Sequence, residues 1–377
     1  MDFSFSEEQQ AIQELAGQIL GNRSDPETAK KILASDEGID RALWAELAQA
    51  NLLGIALPEE YGGSAFSELD LCLLFEQQGR HLAPVPLYAT LVLGALPVAR
   101  FGSDKQRKDL LPGVVSGEGF LSAALFEVGI SDPSLPRCTA KRDGAGFVLE
   151  GEKHCVPAAH VARRVLVPAR CDDGVGVFLV DPQADGVTLE RQDPTSHEPI
   201  FAMRLSDVRV GAEDVLGGGG AQGAEIVRWA LARALVALSA IQLGVAEEAL
   251  RRTAEYTSSR KQFGKQIASF QAVSLRAADG YISVEAMRST LWQAAWRLSE
   301  GLPAAREIAV AKWWACRGGH DVVHSTQHLH GGIGADVDYP IHRYFLWSTQ
   351  LENSLGGATQ QLARLGSLLA SGEGQSA

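Results

Sequence analysis

The sequence lacks the features that define several large protein classes, beginning with paired cysteines. Its 377 residues contain five, Cys72, Cys138, Cys155, Cys171 and Cys316, and none forms a CxxC pair. An odd, scattered set argues against a disulfide framework and favours a reducing compartment. We therefore expect a cytoplasmic protein.

Positive charge is also scarce. There are 34 Lys and Arg against 46 Asp and Glu, a formal net charge of −12. Binding to nucleic acid or to an anionic membrane surface requires a basic field, so we expect neither partner. The segment MDFSFSEEQQ has no basic or apolar signal region, and no uncharged run approaches the roughly eighteen residues of a membrane span. Membrane insertion is not expected.

Three regions with different residue patterns follow one another along the chain. Residues 1–118 are helical in pattern, with a capping box formed by Ser6 and Gln9. Residues 119–224 hold short apolar runs broken by Asp, Gly and Pro, too close together for crossover helices. The pattern predicts an α+β multidomain protein: an N-terminal α-helical domain, a central antiparallel β-barrel or sandwich, and a C-terminal four-helix bundle over residues 225–377. The predicted bundle helices are 225–258, 267–299, 302–328 and 341–370.

The last of these helices raises a question, because Gly356 and Gly357 stand in its middle. Each glycine costs a helix about 1 kcal/mol relative to alanine.

Two motifs are interpreted as structural. GGGGAQG, residues 217–223, satisfies GxGxxG, but helices follow it where a dinucleotide fingerprint needs a second strand, so we interpret it as a linker. His320, His324 and His328 recur on one helix face without an HExxH pattern. We interpret that row as a packed or hydrogen-bonded face, with metal binding the less favoured alternative, and assign no metal site.

Two glycine-rich corners indicate ligand binding. In SSRKQFGKQIASFQAV, Arg260 lies before a break at Gly264, and Ser269 is a good N-cap for a helix with Gln271 in its first turn. A helix N-terminus beside an arginine suits phosphate, although a solvated basic corner explains the stretch equally well. The second corner, HLHGGIGADVDYP, favours a ligand because its glycines allow close backbone approach.

In family order and spacing, these stretches resemble the acyl-CoA dehydrogenase family, as do MDFSFSEEQ, LPEEYGG and YPIHRY. In that family the two corners embrace the FAD of a neighbouring subunit. The resemblance implies that Arg260 contacts the FAD pyrophosphate and that the glycines allow its close approach. His328 stands where the family usually has glutamine. The implied FAD contacts are Arg260, Gln262, Phe263, Gln271, His328, Gly331 and Gly332.

The sequence departs from the family where the flavin ring and the base belong. Cys155 and Pro157 stand at the Trp and Thr positions of the ring pocket, and proline can donate no hydrogen bond. Leu355 occupies the position of the usual catalytic glutamate, and Ala234 the alternate position. Glu352, the nearest acid, is one helical turn away, about 5 Å along the axis. We therefore expect no catalytic base in this chain.

The resemblance is strongest to the degenerate subunit of actinobacterial heterotetrameric acyl-CoA dehydrogenases that act on steroid side-chain CoA thioesters. It implies a half-site subunit that serves FAD across an interface in an α2β2 complex, with a homologous partner carrying the glutamate and an acyl-CoA as substrate. Two alternatives remain: a self-sufficient homo-oligomeric flavoprotein with a relocated base, and a scaffold without flavin.

Overall fold

The structure is a computed structural model that describes residues 4–23, 25–218 and 222–372. Of the predicted linker, residues 219–221 lie outside the described residues, and so do residues 1–3 of the first family motif. Helical elements occupy both ends of the chain. In chain order they are α1 Glu7–Asn22, α2 Pro26–Leu33, α3 Arg41–Gln49, α4 Glu68–His81, a π-helical stretch Tyr88–Ala95, α5 Leu96–Phe101, α6 Asp104–Val115, α7 Gly223–Ser259, α8 Gln271–Ser299, α9 Ala305–His330, α10 Ile341–Asn353 and α11 Ala358–Ser371.

The predicted order of helical region, β region and helical bundle is confirmed. The predicted capping box also forms, since Ser6 Oγ accepts the Gln9 N–H and the Gln9 side chain accepts the Ser6 N–H. Contacts divide the chain into two compact units, Met1–Pro26 with Glu68–Ala83 and Leu235–Ala377, and Glu27–Ser67 with Pro84–Ala234. The domain boundaries at residues 118 and 224 stay a prediction.

The central sheet is mixed, whereas the sequence pattern predicts an antiparallel one. Most neighbouring strands are antiparallel, but β1 runs parallel to β4, and β2 meets β4 in parallel at one residue pair. A short parallel strand adds without any crossover helix, which is why the spacing of apolar runs does not reveal it. The strands are β1 Leu121–Ala123, β2 Thr139–Asp143, β3 Gly146–Pro157, β4 Arg164–Cys171, β5 Gly174–Val180, β6 Val187–Gln192, β7 Ile200–Val210 and β8 Val215–Leu216, with a separate hairpin of β9 Lys261–Gln262 and β10 Lys265–Gln266.

The second unit is built around this sheet. Side chains from β3, β4, β5 and β7 form one apolar core in which Phe147 and Phe178 meet edge to face at 5.1 Å. Trp44 of α3 is buried, stacks on Phe120 and donates its indole N–H to Gly117 O. Each large apolar side chain buried in this way contributes about 1.5–3 kcal/mol.

The first unit is a helical bundle in which α4 crosses α7 at very short range. A Cβ atom added to Gly79 would lie 1.9 Å from Ile241 O, and one added to Gly244 would lie 1.9 Å from Glu76 O. No side chain fits at either point, so glycine fixes the distance between the two helices.

By length and hydropathy alone, α7 meets the criteria for a membrane-spanning helix, the one such helix among the described residues. Its most apolar 18-residue window has a mean hydropathy of 1.6, and 83% of that window is buried inside the protein. This burial is what a core helix shows.

A cluster of charged side chains joins α4, α7 and α8 in the first unit. Glu247 of α7 binds Arg80 of α4 and also Arg288 of α8, the latter at 2.8 Å. Glu76 is almost wholly buried beside them, and its Oε1 lies 3.7 Å from Arg80 and 3.8 Å from Arg288. Burial raises the pKa of Glu76 to about 6, although Arg288 and Arg80 act in the opposite direction.

We predict that Glu76→Gln becomes increasingly stabilising as pH rises. A carboxyl whose pKa is raised on folding contributes stability below its unfolded pKa and loses it as pH rises through about 6. Between about pH 4.5 and pH 7 the variant should gain about 2 kcal/mol over wild type in unfolding free energy. Urea unfolding at a series of pH values measures this. Glu8→Gln, which removes an exposed carboxylate, is the control, and parallel curves for Glu76→Gln and wild type would contradict the prediction.

Candidate functional site

The first glycine-rich corner is a tight β-hairpin. Phe263 and Gly264 both have positive φ, 53° and 80°, as a two-residue turn of type I′ requires. The Ile267 N–H donates to Arg260 O at 3.0 Å, which closes the base of the hairpin. Phe263 stands at its tip with 91% of its surface exposed. The guanidinium of Arg260 has no hydrogen bond or ion pair to any described residue, and Gln262 bonds only the neighbouring Lys261 O.

Helix α8 begins directly after this hairpin, with Gln271 as its first residue. The prediction that Ser269 is the N-cap is wrong: the N-cap is Phe270, which supplies no side-chain hydrogen bond. Ser269 lies one residue too early, and its hydroxyl donates to Gln266 O at 2.7 Å. Because no side chain caps α8, its first N–H groups and positive dipole end remain available to an anion.

The second glycine-rich corner packs against the end of α7, shortly before the first corner begins. Tyr256, four residues before Arg260 on α7, stacks on His330 with the ring centres 4.5 Å apart. His330 is buried, and Gly331 and Gly332 follow it on the surface. Gly331 has a φ of 64°, and a Cβ atom added at either glycine would meet nothing within 4 Å. The glycines are therefore not required by packing within the described chain, and their backbone is open to a ligand.

His328 is exposed at the end of α9 and lines a cleft with Arg276 of α8. Arg276 lies between one and two turns after Gln271, so His328 belongs to the same end of the bundle as the hairpin. The Tyr256–His330 stack and the cleft shared by His328 and Arg276 thus connect the two corners that hold the seven predicted FAD contacts, which together we call the FAD surface.

This surface fits a diphosphate-bearing cofactor. It offers an unpaired guanidinium at Arg260, an uncapped helix N-terminus at Gln271 and open glycine backbone at Gly332. The first two are hydrogen-bond donors, and the third allows a cofactor to come close to the backbone. In a chain with a formal net charge of −12, such a local concentration of donors is what anion binding requires.

At the position that the resemblance implies for the flavin ring pocket, several backbone groups are bonded within the chain. The Cys155 N–H donates to Gln192 Oε1 at 2.8 Å, and Pro157 O accepts the Ser122 hydroxyl at 2.6 Å. Phe126 O accepts the His154 N–H at 2.9 Å. The backbone groups around the departures from the family pattern are thus bonded within the chain, so a flavin ring finds few free donors there.

A buried ion pair between Glu127 and Lys153 anchors the part of β3 that precedes Cys155. Glu127 accepts bonds from Lys153 Nζ at 2.6 Å, from the Arg137 N–H at 2.7 Å and from the Cys138 N–H at 3.2 Å. Burial opposes ionisation, yet Lys153 and the two backbone N–H groups hold the pKa of Glu127 below its usual range. The ion pair thus ties Lys153 of β3 to the segment that contains Glu127.

The predicted helix 341–370 is wrong as a single helix. Helix α10 ends at Asn353 and α11 begins at Ala358, so the two glycines lie in a turn. Leu355 has a φ of 55° and Gly356 a φ of 102°. A left-handed leucine is strained by roughly 1–2 kcal/mol, so neighbouring bonds must hold the turn. The glycines cost no helix stability here, and Gly356 adopts a conformation that L residues avoid.

Side chains from the flanking helices supply those bonds. Lys312 of α9 is buried, and its Nζ donates to Leu351 O at 2.6 Å. The Cys316 thiol donates to Glu352 O at 3.3 Å, and Gln361 Nε2 donates to Leu355 O and Gly356 O. Burial lowers the pKa of Lys312, although Cys316 and Glu352 oppose the effect. The turn is therefore held by three side chains, with Leu355 at the position that the sequence resemblance implies for the base.

The other candidate acid positions offer no free carboxylate. Glu352 directs its Oε2 to His320 Nδ1 on α9, 3.1 Å away. Ala234 in α7 is wholly buried.

Among the described residues, no three His, Cys, Asp or Glu side chains converge as metal ligands.

The sequence reasoning did not identify the side chains that hold these segments: Lys312, Cys316, Gln361, Glu127, Lys153, Gln192 and Gln327, whose Nε2 bonds Gly334 O. Their partners are mostly backbone atoms distant in sequence, and no spacing announces such a contact. A lysine and a cysteine at i and i+4 on the apolar face of α9 were the one available signal.

Two protein-family models and a relative of known family match this chain. A model of the acyl-CoA dehydrogenase N-terminal domain matches residues 6–118, and a model of the C-terminal domain matches residues 221–365. Acyl-CoA dehydrogenase FadE27 of Mycobacterium tuberculosis strain H37Rv is 38% identical over 379 residues, which cover 98% of this chain and 99% of that protein.

Two similar solved structures are of paired proteins. A chain of the Tcur3481-Tcur3483 steroid ACAD G363A variant is 48% identical, with a TM-score of 0.91 and coverage of 97% of this chain and 98% of that one. A chain of the ChsE4-ChsE5 complex from Mycobacterium tuberculosis is 38% identical, with a TM-score of 0.93 and coverage of 98% and 99%.

We predict opposite effects for two glycine-to-alanine changes near the C-terminus. Gly356→Ala should lower the unfolding free energy by about 1–3 kcal/mol, because alanine is strained at positive φ and its Cβ would lie 2.8 Å from Gln360 Oε1. Gly366→Ala, the control, lies within α11 with nothing near its added Cβ and should raise it by about 0.5–1 kcal/mol. Thermal unfolding compares the two, and a Gly356→Ala protein as stable as wild type would contradict the left-handed turn.

Proposed function

The chain belongs to the acyl-CoA dehydrogenase family, and we propose that within it this protein is the half-site subunit of a heteromeric, FAD-dependent acyl-CoA dehydrogenase. One observation carries the proposal: the groups that would serve a neighbour's FAD are open, while those that would hold the chain's own flavin ring are bonded internally. The reaction class is the α,β-dehydrogenation of an acyl-CoA.

FAD is the cofactor, and its bound flavin supplies the hydride acceptor. In our proposal, Arg260 donates to the pyrophosphate, the first N–H groups of α8 at Gln271 add positive potential, and the backbone at Gly331 and Gly332 lies close to the cofactor. Gln262 and Phe263 contribute from the hairpin. His328 donates one hydrogen bond where the family has a glutamine, since a neutral imidazole carries one N–H.

The proton of the α carbon requires a carboxylate within hydrogen-bond reach. Leu355 and Ala234 cannot remove it, and the carboxylate of Glu352 is directed to His320. That contact argues against Glu352 as a relocated base and hence against a self-sufficient enzyme. We therefore assign the base to a homologous partner subunit with its own glutamate, in an α2β2 assembly.

A steroid side-chain CoA thioester is the substrate class that the similar structures favour. One of them is of a steroid ACAD, and this chain is 48% identical to it along nearly its whole length. The pairing of proteins in both structures supports a heteromer for this chain as well. A cytoplasmic location fits five free cysteines with no disulfide among them.

We predict that the chain purifies colourless on its own and yellow when co-expressed with its partner. The backbone at its own ring position is bonded internally, whereas the complex should retain one FAD per heterodimer. Visible flavin absorbance and an acyl-CoA dehydrogenation assay with an artificial electron acceptor measure the two states. A yellow, active protein obtained from this chain alone would overturn the proposal in favour of a self-sufficient enzyme, and a colourless complex would favour a scaffold.

We also predict that Arg260→Ala weakens FAD retention by the complex. Loss of a charge-assisted pyrophosphate contact should cost about 1.5 to 3 kcal/mol of FAD binding. Fluorescence titration of the apo complex with FAD measures the change. Lys261→Ala, the control, removes the same charge one residue later and should have a much smaller effect, because Lys261 is not part of the R-x-x-F-G pattern. Equal losses would show that net charge, and not Arg260 itself, holds the cofactor.

A further inference from the structure

The histidine row on α9 is not accounted for by the proposed function. His320, His324 and His328 all line the cleft between α8 and α9, which has a volume of about 640 Å³. His328 belongs to the proposed FAD surface at one end of that cleft. The other two imidazoles lie about one and two helical turns before His328 on α9, and the FAD surface does not use them.

His320 and His324 are close enough to share a ligand. Their ring centres are 4.1 Å apart, and the ring planes are inclined by 34°. They are four residues apart on one helix, the spacing at which two histidines in metalloproteins hold one metal ion. The ring of Phe345 meets His324 edge to face, with the ring centres 4.7 Å apart.

A carboxylate orients one of these rings. His320 Nδ1 lies 3.1 Å from Glu352 Oε2. Because a carboxylate only accepts hydrogen bonds, Nδ1 carries the hydrogen and is the donor. This tautomer leaves the Nε2 lone pair free. A ligating histidine in metalloproteins typically has such a carboxylate on its second nitrogen, which fixes the ring and raises its basicity.

We propose that His320 and His324 chelate a divalent transition-metal ion, with Glu352 as the positioning residue for His320. Imidazole donors suit Zn²⁺, Cu²⁺ or Ni²⁺ and discriminate against Mg²⁺ and Ca²⁺. Since no third donor converges among the described side chains, water completes the coordination and the site is open, unlike a closed structural zinc site.

The test is metal titration of the untagged full chain after treatment with a chelator. Calorimetry with Zn²⁺ should show one site, and Mg²⁺ should show none. His320→Ala and His324→Ala should each abolish that site. Glu352→Ala should weaken Zn²⁺ binding about 10- to 100-fold, the usual effect of removing a carboxylate behind a ligating histidine. His197→Ala, an exposed histidine in a different unit of the chain, is the matched control and should leave binding unchanged.

Electron paramagnetic resonance of the Cu²⁺-loaded chain provides a second measurement. The nitrogen hyperfine pattern should report two imidazoles on one copper ion in wild type, and both His320→Ala and His324→Ala should lose that pattern. Circular dichroism verifies that each variant is folded. Zn²⁺ binding that survives both histidine changes, or a wild-type Cu²⁺ spectrum with a single imidazole, would overturn the proposal. Neither readout depends on FAD or on a partner subunit, so the proposed function is tested separately.

Discussion

The bond from the buried Lys312 ammonium to the Leu351 carbonyl is the contact on which the C-terminal site depends. A helix end leaves carbonyls without partners, and in a buried position each must find a donor. Lys312 supplies one at 2.6 Å, and Cys316 and Gln361 supply those that follow. These bonds end α10 at Asn353 and hold the turn that leads to α11 at Ala358. They also hold Leu355 in a left-handed conformation that leucine avoids on its own.

The same reasoning separates the two halves of the proposed flavin site. At the hairpin and the α8 N-terminus, donors remain without internal partners, and open glycine backbone lies beside them. Around Cys155 and Pro157, the chain's own groups already satisfy the backbone. Whether a polar group is satisfied internally is a physical distinction between a surface that can receive a ligand and one that cannot. The residue identities at Cys155 and Pro157 had already indicated that distinction, and the internal bonds give it a physical basis.

The sequence predicted most of the fold, because long amphipathic helices and a capping box are local features. It also located the break at Gly264, which the structure shows to be the turn of a hairpin. It failed where distant groups decide the outcome. The helix pattern continues through Leu355, yet side chains of α9 and α11 break it there. Ser269 has the right chemistry for a cap, but its hydroxyl bonds Gln266 O instead. The parallel pairing of β1 with β4 leaves no trace in the spacing of apolar residues.

Gln192 has a consequence for how such a chain changes over evolutionary time. Its side chain accepts the Cys155 N–H, so a single mutation of Pro157 to threonine would restore one donor while the neighbouring N–H stays bonded. Replacing Gln192 first would leave that N–H without a partner and gain nothing. Building a ring-binding site at this position therefore requires changes at more than one residue, because the Cys155 N–H is already engaged.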